Sequence, residues 1–294
     1  MTTLFETAAR PILKWVGGKR ELLPEILKRS PEKFGKYIEP FFGGGAVYLH
    51  LAASADNRSQ FVINDVNEDL IAMYRDIKSR PHELISGCHE LEKVFWAKGY
   101  YHIRSHFNGI DREKNPVKRY EGLERSCAII VLNRTCFNGL YRTNKSGLFN
   151  VPKGNYKNPR IIDPENTMQL SELLPEVENI HCGQFDAIEN IKPGDFVYFD
   201  PPYVPLSATS NFTDYSEAFG LQEQQRLRDY FSKLDNKGVY VLASNSSAPL
   251  VADLYAGFRI DEVECRRNVN ARASGRKKVT EYMILGNTLR KALA

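Results

Sequence analysis

Long apolar runs are missing from this chain of 294 residues, and no stretch is long enough to cross a bilayer. The N-terminus has neither the basic start nor the apolar core of a secretion signal. Metal-type clusters are missing too. Cys88, Cys127, Cys136, Cys182 and Cys265 are odd in number, scattered, and without zinc-site spacing. The six histidines form no H-E-x-x-H or similar pair. These absences predict a reduced, cytoplasmic protein without a metal. The phosphate-binding spacing G-x-G-x-x-G is absent as well, as are internal repeats and low-complexity tracts. Acids are missing from one long stretch, Asn133 to Arg160, which is rich in Asn, Gly, Lys and Arg. The remainder is ordinary globular composition, 42% hydrophobic and 26% charged, with a mild net charge of +4.

Hydrophobic patterning predicts short buried strands at Tyr37–Glu39 and Phe61–Asn64, with a helix over Ala46–Ala53 between them. Leu70, Tyr74 and Ile77 place a second helix over Glu68–Lys78, stopped by Pro81. From about residue 80 to about 135 the chain reads as mostly helical, with Cys127, Ile130 and Val131 facing inward. No strand alternates with those helices. The βα rhythm resumes at Val177–His181, Phe196–Phe199 and Val239–Leu242, and a helix with Leu227, Phe231 and Leu234 on one face precedes the last. Phe258–Val263 and Val279–Leu285 predict a closing antiparallel pair. The expected fold is α/β, a mixed and mostly parallel sheet interrupted by a smaller helical insertion.

Three constellations carry chemistry. The buried run Phe196–Phe199 ends in Asp200-Pro201-Pro202-Tyr203. Two prolines stiffen the turn, remove backbone donors and are expected to leave two carbonyls unpaired. With a carboxylate as acceptor and a ring as stacking face, the segment suits a planar heterocycle bearing an amino group. At the carboxyl end of a parallel strand it stands where open α/β sheets bind ligands. Glu39-Pro40-Phe41-Phe42-Gly43-Gly44-Gly45 follows the first strand and opens a helix, and Asp65 closes the next strand. Glycines that admit a ligand at a helix N-terminus, plus an acid for ribose hydroxyls, indicate an adenosine-containing cofactor. The pattern fits NAD or S-adenosylmethionine, and the missing G-x-G-x-x-G favours the one without pyrophosphate. Upstream, Lys14-Trp15-Val16-Gly17-Gly18-Lys19 sets two lysines about a Gly-Gly turn beside an indole, which suits an amino-acid carboxylate.

In this order, K-W-V-G-G-K, E-P-F-F-G-G-G, N-D and D-P-P-Y, the chain resembles the Dam-type, or D12-class, DNA adenine-N6 methyltransferases. The likeness runs from about Pro11 to Leu285, so it covers nearly the whole chain. Asn138-Gly139-Leu140-Tyr141-Arg142, then Gly147 to Tyr156, resembles the family's target-recognition segment at unbroken spacing. The resemblance implies a Rossmann-like S-adenosylmethionine-dependent sheet over residues 1–68 and 160–294, with an inserted, mostly helical DNA target-recognition domain over 69–159. It implies cofactor contacts at Trp15, Lys19, Glu39, Pro40, Phe41, Gly43, Gly45, Asp65, Gln184, Phe185 and Asp200. Gln184 stands where relatives often carry an acid. It implies catalysis by Asp200, Pro201, Pro202 and Tyr203, with the ring of Tyr203 on an extruded adenine.

DNA contacts are implied at Lys14, Phe137, Asn138, Leu140, Arg142 and Pro152. Leu140, Arg142 and Pro152 fall on positions that read bases of GATC, and Phe137 on one whose ring enters the duplex stack, where the family usually has Tyr. Between the last two strands, the basic loop Arg266 to Lys278, with Arg267 and Asn270, reads as a DNA-phosphate clamp. The expected protein is monomeric, binds double-stranded DNA and S-adenosylmethionine, and serves DNA methylation, with restriction-modification, replication timing, repair and a phage function as its alternative settings. Another DNA site such as GATATC, RNA or a protein amide are alternative substrates. An NAD-dependent oxidoreductase is a different class, as is a DNA-binding module with a silent cofactor pocket. The first of these leaves D-P-P-Y without a task.

Overall fold

Phe196–Phe199 is a strand buried on both faces, which is why all four of its residues are apolar or aromatic. A computed structural model describes residues 9–15, 17, 19, 21–55, 60–206, 219–266 and 278–294. Along the chain these form α1 (Leu23–Leu27), β1 (Tyr37–Glu39), α2 (Ala46–Ala53), β2 (Phe61–Asp65), α3 (Glu68–Ser79), α4 (Pro81–Lys98), α5 (Tyr100–Asn108) and α6 (Gly122–Thr135). There follow α7 (Pro164–Leu173), β3 (Ile180–Cys182), β4 (Phe196–Phe199), α8 (Leu221–Asn236), β5 (Tyr240–Ser246), α9 (Pro249–Leu254), β6 (Arg259–Arg266), β7 (Lys278–Leu285) and α10 (Asn287–Ala292).

The strands form a seven-stranded sheet in the order β3-β2-β1-β4-β5-β7-β6. β2, β1, β4 and β5 run parallel, and β7 pairs antiparallel with both β5 and β6. The strand order reverses between β1 and β4. In a doubly wound sheet that reversal opens a crevice at the carboxyl ends of the strands, where ligands bind. Glu39 and Asp200 stand at those ends.

By internal contacts the chain divides into two compact units. The first comprises 1–18, 43–59 and 65–183; the second comprises 19–42, 60–64 and 184–294. In the second, Val197 and Phe199 of β4 pack with Leu227, Phe231 and Leu234 of α8 and with Val251 and Tyr255 beyond β5. On the opposite face of the same strand, Phe196 joins Phe34, Tyr37 and Phe61 in an aromatic cluster. Fixing β4 from both sides makes its C-terminal end a rigid platform.

The first unit is mostly helical. α6 is buried from Ser126 to Asn133, as expected of a helix surrounded by others, here α3, α4 and α5. Asn67 caps α3 by accepting from Leu70 N at 3.0 Å, and Glu68 and Asp69 follow in its first turn. Pro81 begins α4, at a position where its missing N–H costs nothing, with Arg80 alone separating the two helices. Two expectations shift. Val177–Asn179 is a 3-10 turn, with strand β3 starting at Ile180, and β5 extends to Ser246 rather than ending at Leu242. The segment read from the sequence as an insertion, 69–159, lies wholly within the first unit.

Candidate functional site

In the second unit, the end of β4 meets a set of buried polar groups. Lys19 Nζ lies 2.7 Å from Asp200 Oδ1, and the Lys19 side chain is only 8% exposed. Ser244 on β5 donates to the same oxygen at 3.1 Å. Oδ2 of Asp200 has no hydrogen-bond partner among the described residues. Burial pushes the Asp200 carboxyl above the ordinary carboxylate range, against the pull of the adjacent Lys19 ammonium and the Ser244 hydroxyl. The Tyr203 hydroxyl donates to Glu281 Oε2 at 2.8 Å, and Lys19 Nζ lies 4.7 Å from the centre of its ring. Burial holds the Tyr203 phenol well above its usual range, so it stays a donor.

The two prolines do not leave two open carbonyls. Gln224, at the start of α8, donates to Pro202 O at 2.9 Å, whereas Pro201 O accepts no hydrogen bond among the described residues. Asn245 accepts from Val204 N at 3.1 Å and donates to Gln224 at 3.3 Å. Gln224 and Asn245 therefore clamp the segment on either side of Tyr203. What stays open is one carboxylate oxygen and one carbonyl, beside an aromatic ring.

Elsewhere in this unit, buried Glu39 accepts from Tyr37 OH at 2.8 Å, and Pro40 O accepts from Asn64 at 3.0 Å. Phe41 and Phe185 stack with ring centres 5.4 Å apart. Phe185 is buried and carries the Arg226 guanidinium on its ring at 4.9 Å. Gln184 is exposed.

In the first unit, a turn built on glycine surrounds Trp15. Gly43 has φ +50°, and a Cβ there would fall 2.8 Å from Trp15 Cδ1. Gly45, at φ +67°, opens α2. Asp65 is buried, and its two oxygens accept from Gly43 N and Asn67 N, each at 2.9 Å. Burial raises its pKa, opposed by those backbone donors. Val66 is a third backbone donor to this carboxylate, which still has lone-pair capacity for an outside hydroxyl. A turn with no room for a side chain, closed by an acid and an indole, fits the ribose and apolar parts of an adenosine cofactor.

The same unit folds residues 136–153 into an irregular hairpin, with bridges Cys136–Lys153 and Thr143–Phe149. Asn144 makes its tip by accepting from Ser146 N and Leu148 N, both at 3.0 Å. Phe137 N donates to Pro152 O at 2.8 Å, and Phe137 is 47% exposed despite its size. Asn138 at φ +54°, Arg142 and Pro152 are exposed too, and Leu140 is half-buried. Asn150 grips Arg142 twice, accepting from Nε at 2.7 Å and donating its own N–H to Arg142 O at 3.0 Å. Lys14 joins the hairpin through Asn133, which accepts from Lys14 N and donates to the carbonyls of Lys14 and Gly139, at 2.8–2.9 Å. The Lys14 ammonium then rests 4.5 Å from the ring centre of Tyr156.

Val16, Gly18, Arg267 and Asn270 lie outside the described residues, as does most of the basic loop; of Arg266 and Lys278 the strand backbone alone is described. Ser244, Glu281, Gln224, Asn245 and Asn133 were missed in the sequence, and Asn150 was read there only as part of the segment Gly147 to Tyr156. One signal was available: Ser244-Asn245-Ser246 puts three polar residues at the carboxyl end of an otherwise apolar strand. Among the described residues no group of His, Cys, Asp or Glu could hold a metal, and no helix is long and apolar enough to cross a membrane.

Two open acceptors beside a ring suit a planar amine, and the glycine turn suits a nucleoside cofactor without pyrophosphate. The sheet that carries them is that of the S-adenosylmethionine-dependent methyltransferases. Residues 15–269 match the model of the D12 class N6 adenine-specific DNA methyltransferases, and the chain belongs to that family. It is 45% identical over 278 residues to the Type II methyltransferase M1.LlaDCHI of Lactococcus lactis subsp. cremoris, covering 94% of each chain. It is 40% identical to the Type II methyltransferase M.MjaIII of Methanocaldococcus jannaschii, over 94% of this chain and 98% of that one. It is also 34% identical to the DNA adenine methylase of Escherichia coli K12, over 94% and 95%. The protein is an adenine-specific DNA methyltransferase that uses S-adenosylmethionine.

Proposed function

We propose that the enzyme methylates N6 of an adenine flipped out of double-stranded DNA, within the sequence GATC. The observation that carries the flipped-base reading is the pair of open acceptors, Asp200 Oδ2 and Pro201 O, on the segment that also presents Tyr203. Adenine N6 is a poor nucleophile because its lone pair is delocalised into the ring. Each acceptor takes one N6 hydrogen, which draws the nitrogen toward tetrahedral geometry and frees the lone pair. When bound, S-adenosylmethionine supplies an electrophilic methyl group. Alignment of this kind is worth about 7–11 kcal/mol in favourable cases. No strong base is needed, because the proton becomes acidic once the nitrogen has been alkylated.

Tyr203 provides the stacking face. Lys19 covers its ring at one position, and no other ring among the described residues packs on it. Base–aromatic stacking, about 1–3 kcal/mol, offsets part of the few kcal/mol that unstacking costs. In the first unit we assign Trp15, Gly43, Gly45 and Asp65 to the cofactor.

Residues 69–159 serve as the target-recognition domain in this proposal. Phe137, large and exposed, acts as the wedge in the base stack. Arg142, held by Asn150, reads guanine through O6 and N7, for about 1–3 kcal/mol of discrimination. Lys14, Leu140 and Pro152 complete the reading, and the basic loop with Arg267 and Asn270 holds phosphates. The enzyme works as a cytoplasmic monomer, and restriction-modification is a role consistent with it. Single-molecule sequencing of DNA from cells expressing the chain tests target base and site together. Methylated adenine in GATC supports the proposal; methylation of another site such as GATATC revises the specificity, and unmodified adenine throughout overturns it.

A further inference from the structure

The hydrogen-bond direction around Asp200 can be deduced. A carboxylate only accepts, so Ser244 commits its single proton to Oδ1 at 3.1 Å. In the 2.9 Å contact between the Tyr198 and Ser244 hydroxyls, Tyr198 must then be the donor. The result is a one-way chain, Tyr198 to Ser244 to Asp200, with Lys19 as second donor to the same oxygen. Tyr198 and Ser244 are both fully buried, so water does not compete for these protons.

We infer that Ser244, itself oriented by Tyr198, is a positioning residue for methyl transfer. It joins Lys19 in pinning Oδ1 of Asp200, which leaves Oδ2 as the oxygen that takes the amino hydrogen. This rests on the reading of Asp200 as the amino acceptor and adds the groups that fix its rotation. The titratable groups facing Asp200 are Lys19, Tyr37, Tyr198, Tyr203 and Glu281. Lys19 and Ser244 favour the charged carboxylate; burial and Glu281 oppose it.

The test is single-turnover transfer of a labelled methyl group to a duplex, across pH, with thermal unfolding measured in parallel. Ser244→Ala is expected to slow the step roughly 10–100-fold, as for loss of a hydrogen bond to a charged group, with DNA and cofactor affinity unchanged. Its acid limb moves to higher pH, because a donor that favoured the carboxylate is gone. Ser244→Ala also strands the Tyr198 hydroxyl and lowers thermal stability. The double variant Tyr198→Phe/Ser244→Ala removes both partners, so stability returns while the rate stays low. A normal rate and acid limb in Ser244→Ala overturns the inference, as does a rate that recovers along with stability in the double variant. Asp200→Ala separates the two levels. If it turns over normally, the reading beneath falls; if it is silent while Ser244→Ala is unaffected, this inference alone falls.

Discussion

Replacing Gly43 by alanine tests whether the turn around Trp15 is built as tightly as its geometry requires. Two costs apply. At φ +50° an L-residue occupies the left-handed region, worth roughly 1–2 kcal/mol. The new methyl carbon would also stand 2.8 Å from Cδ1 and 2.9 Å from Nε1 of the indole, an overpacking that costs about 1–3 kcal/mol. A double-mutant cycle separates them. Trp15→Ala removes the obstructing ring and leaves the backbone cost untouched. In that background Gly43→Ala should therefore cost about 1–2 kcal/mol, and the coupling between the sites should be about 1–3 kcal/mol. Urea unfolding of the four proteins measures it, and calorimetric titration with S-adenosylmethionine should show weaker binding to Gly43→Ala than to the parent. Additive effects of the two substitutions would refute the argument, because the indole would then not be what fills the space.

Other outcomes follow from the proposed roles. Arg142→Ala should reduce discrimination at one base pair by about 1–3 kcal/mol, read as kcat/KM on duplexes with single changes, and Asn150→Ala should do so to a smaller degree. Equal losses on every duplex would make Arg142 a phosphate contact instead. A protonated Asp200 is a weaker acceptor and carries a proton of its own, so the methyl-transfer rate should fall as pH drops through its pKa. Because burial raises that pKa, the acid limb lies above that of an ordinary aspartate. Lys19→Met removes the cation that opposes the rise and should move the limb to still higher pH; a limb that moves down would contradict the 2.7 Å pairing. DNA affinity should fall linearly with log salt, and Arg267→Ala should reduce the slope by about one.

Much of the fold is legible because the patterns are local. Ala46–Ala53 is a helix with the expected ends, and Leu227, Phe231 and Leu234 do form one buried face. The closing antiparallel pair is also present, from Arg259 to Leu285. Strand β3 was misplaced because it is three residues long, with His181 and Cys182 exposed, too short for any periodicity. β5 was cut short for a different reason. Ser244, Asn245 and Ser246 look like the polar end of a strand, yet they are buried because their partners are supplied from Asp200 to Val204, some forty residues away. The same holds for Glu281, whose role is set by a tyrosine hydroxyl 78 positions distant. Motifs announce groups that act together within a few residues. They are silent about the partners that aim them.

A crystal structure of the enzyme with a GATC duplex and a non-reactive analogue of S-adenosylmethionine tests the central claim most directly. The account predicts an adenine outside the helix, its N6 within about 3 Å of both Asp200 Oδ2 and Pro201 O and its ring on Tyr203. An adenine that stays stacked in the duplex, or an amino group bonded elsewhere, would contradict it.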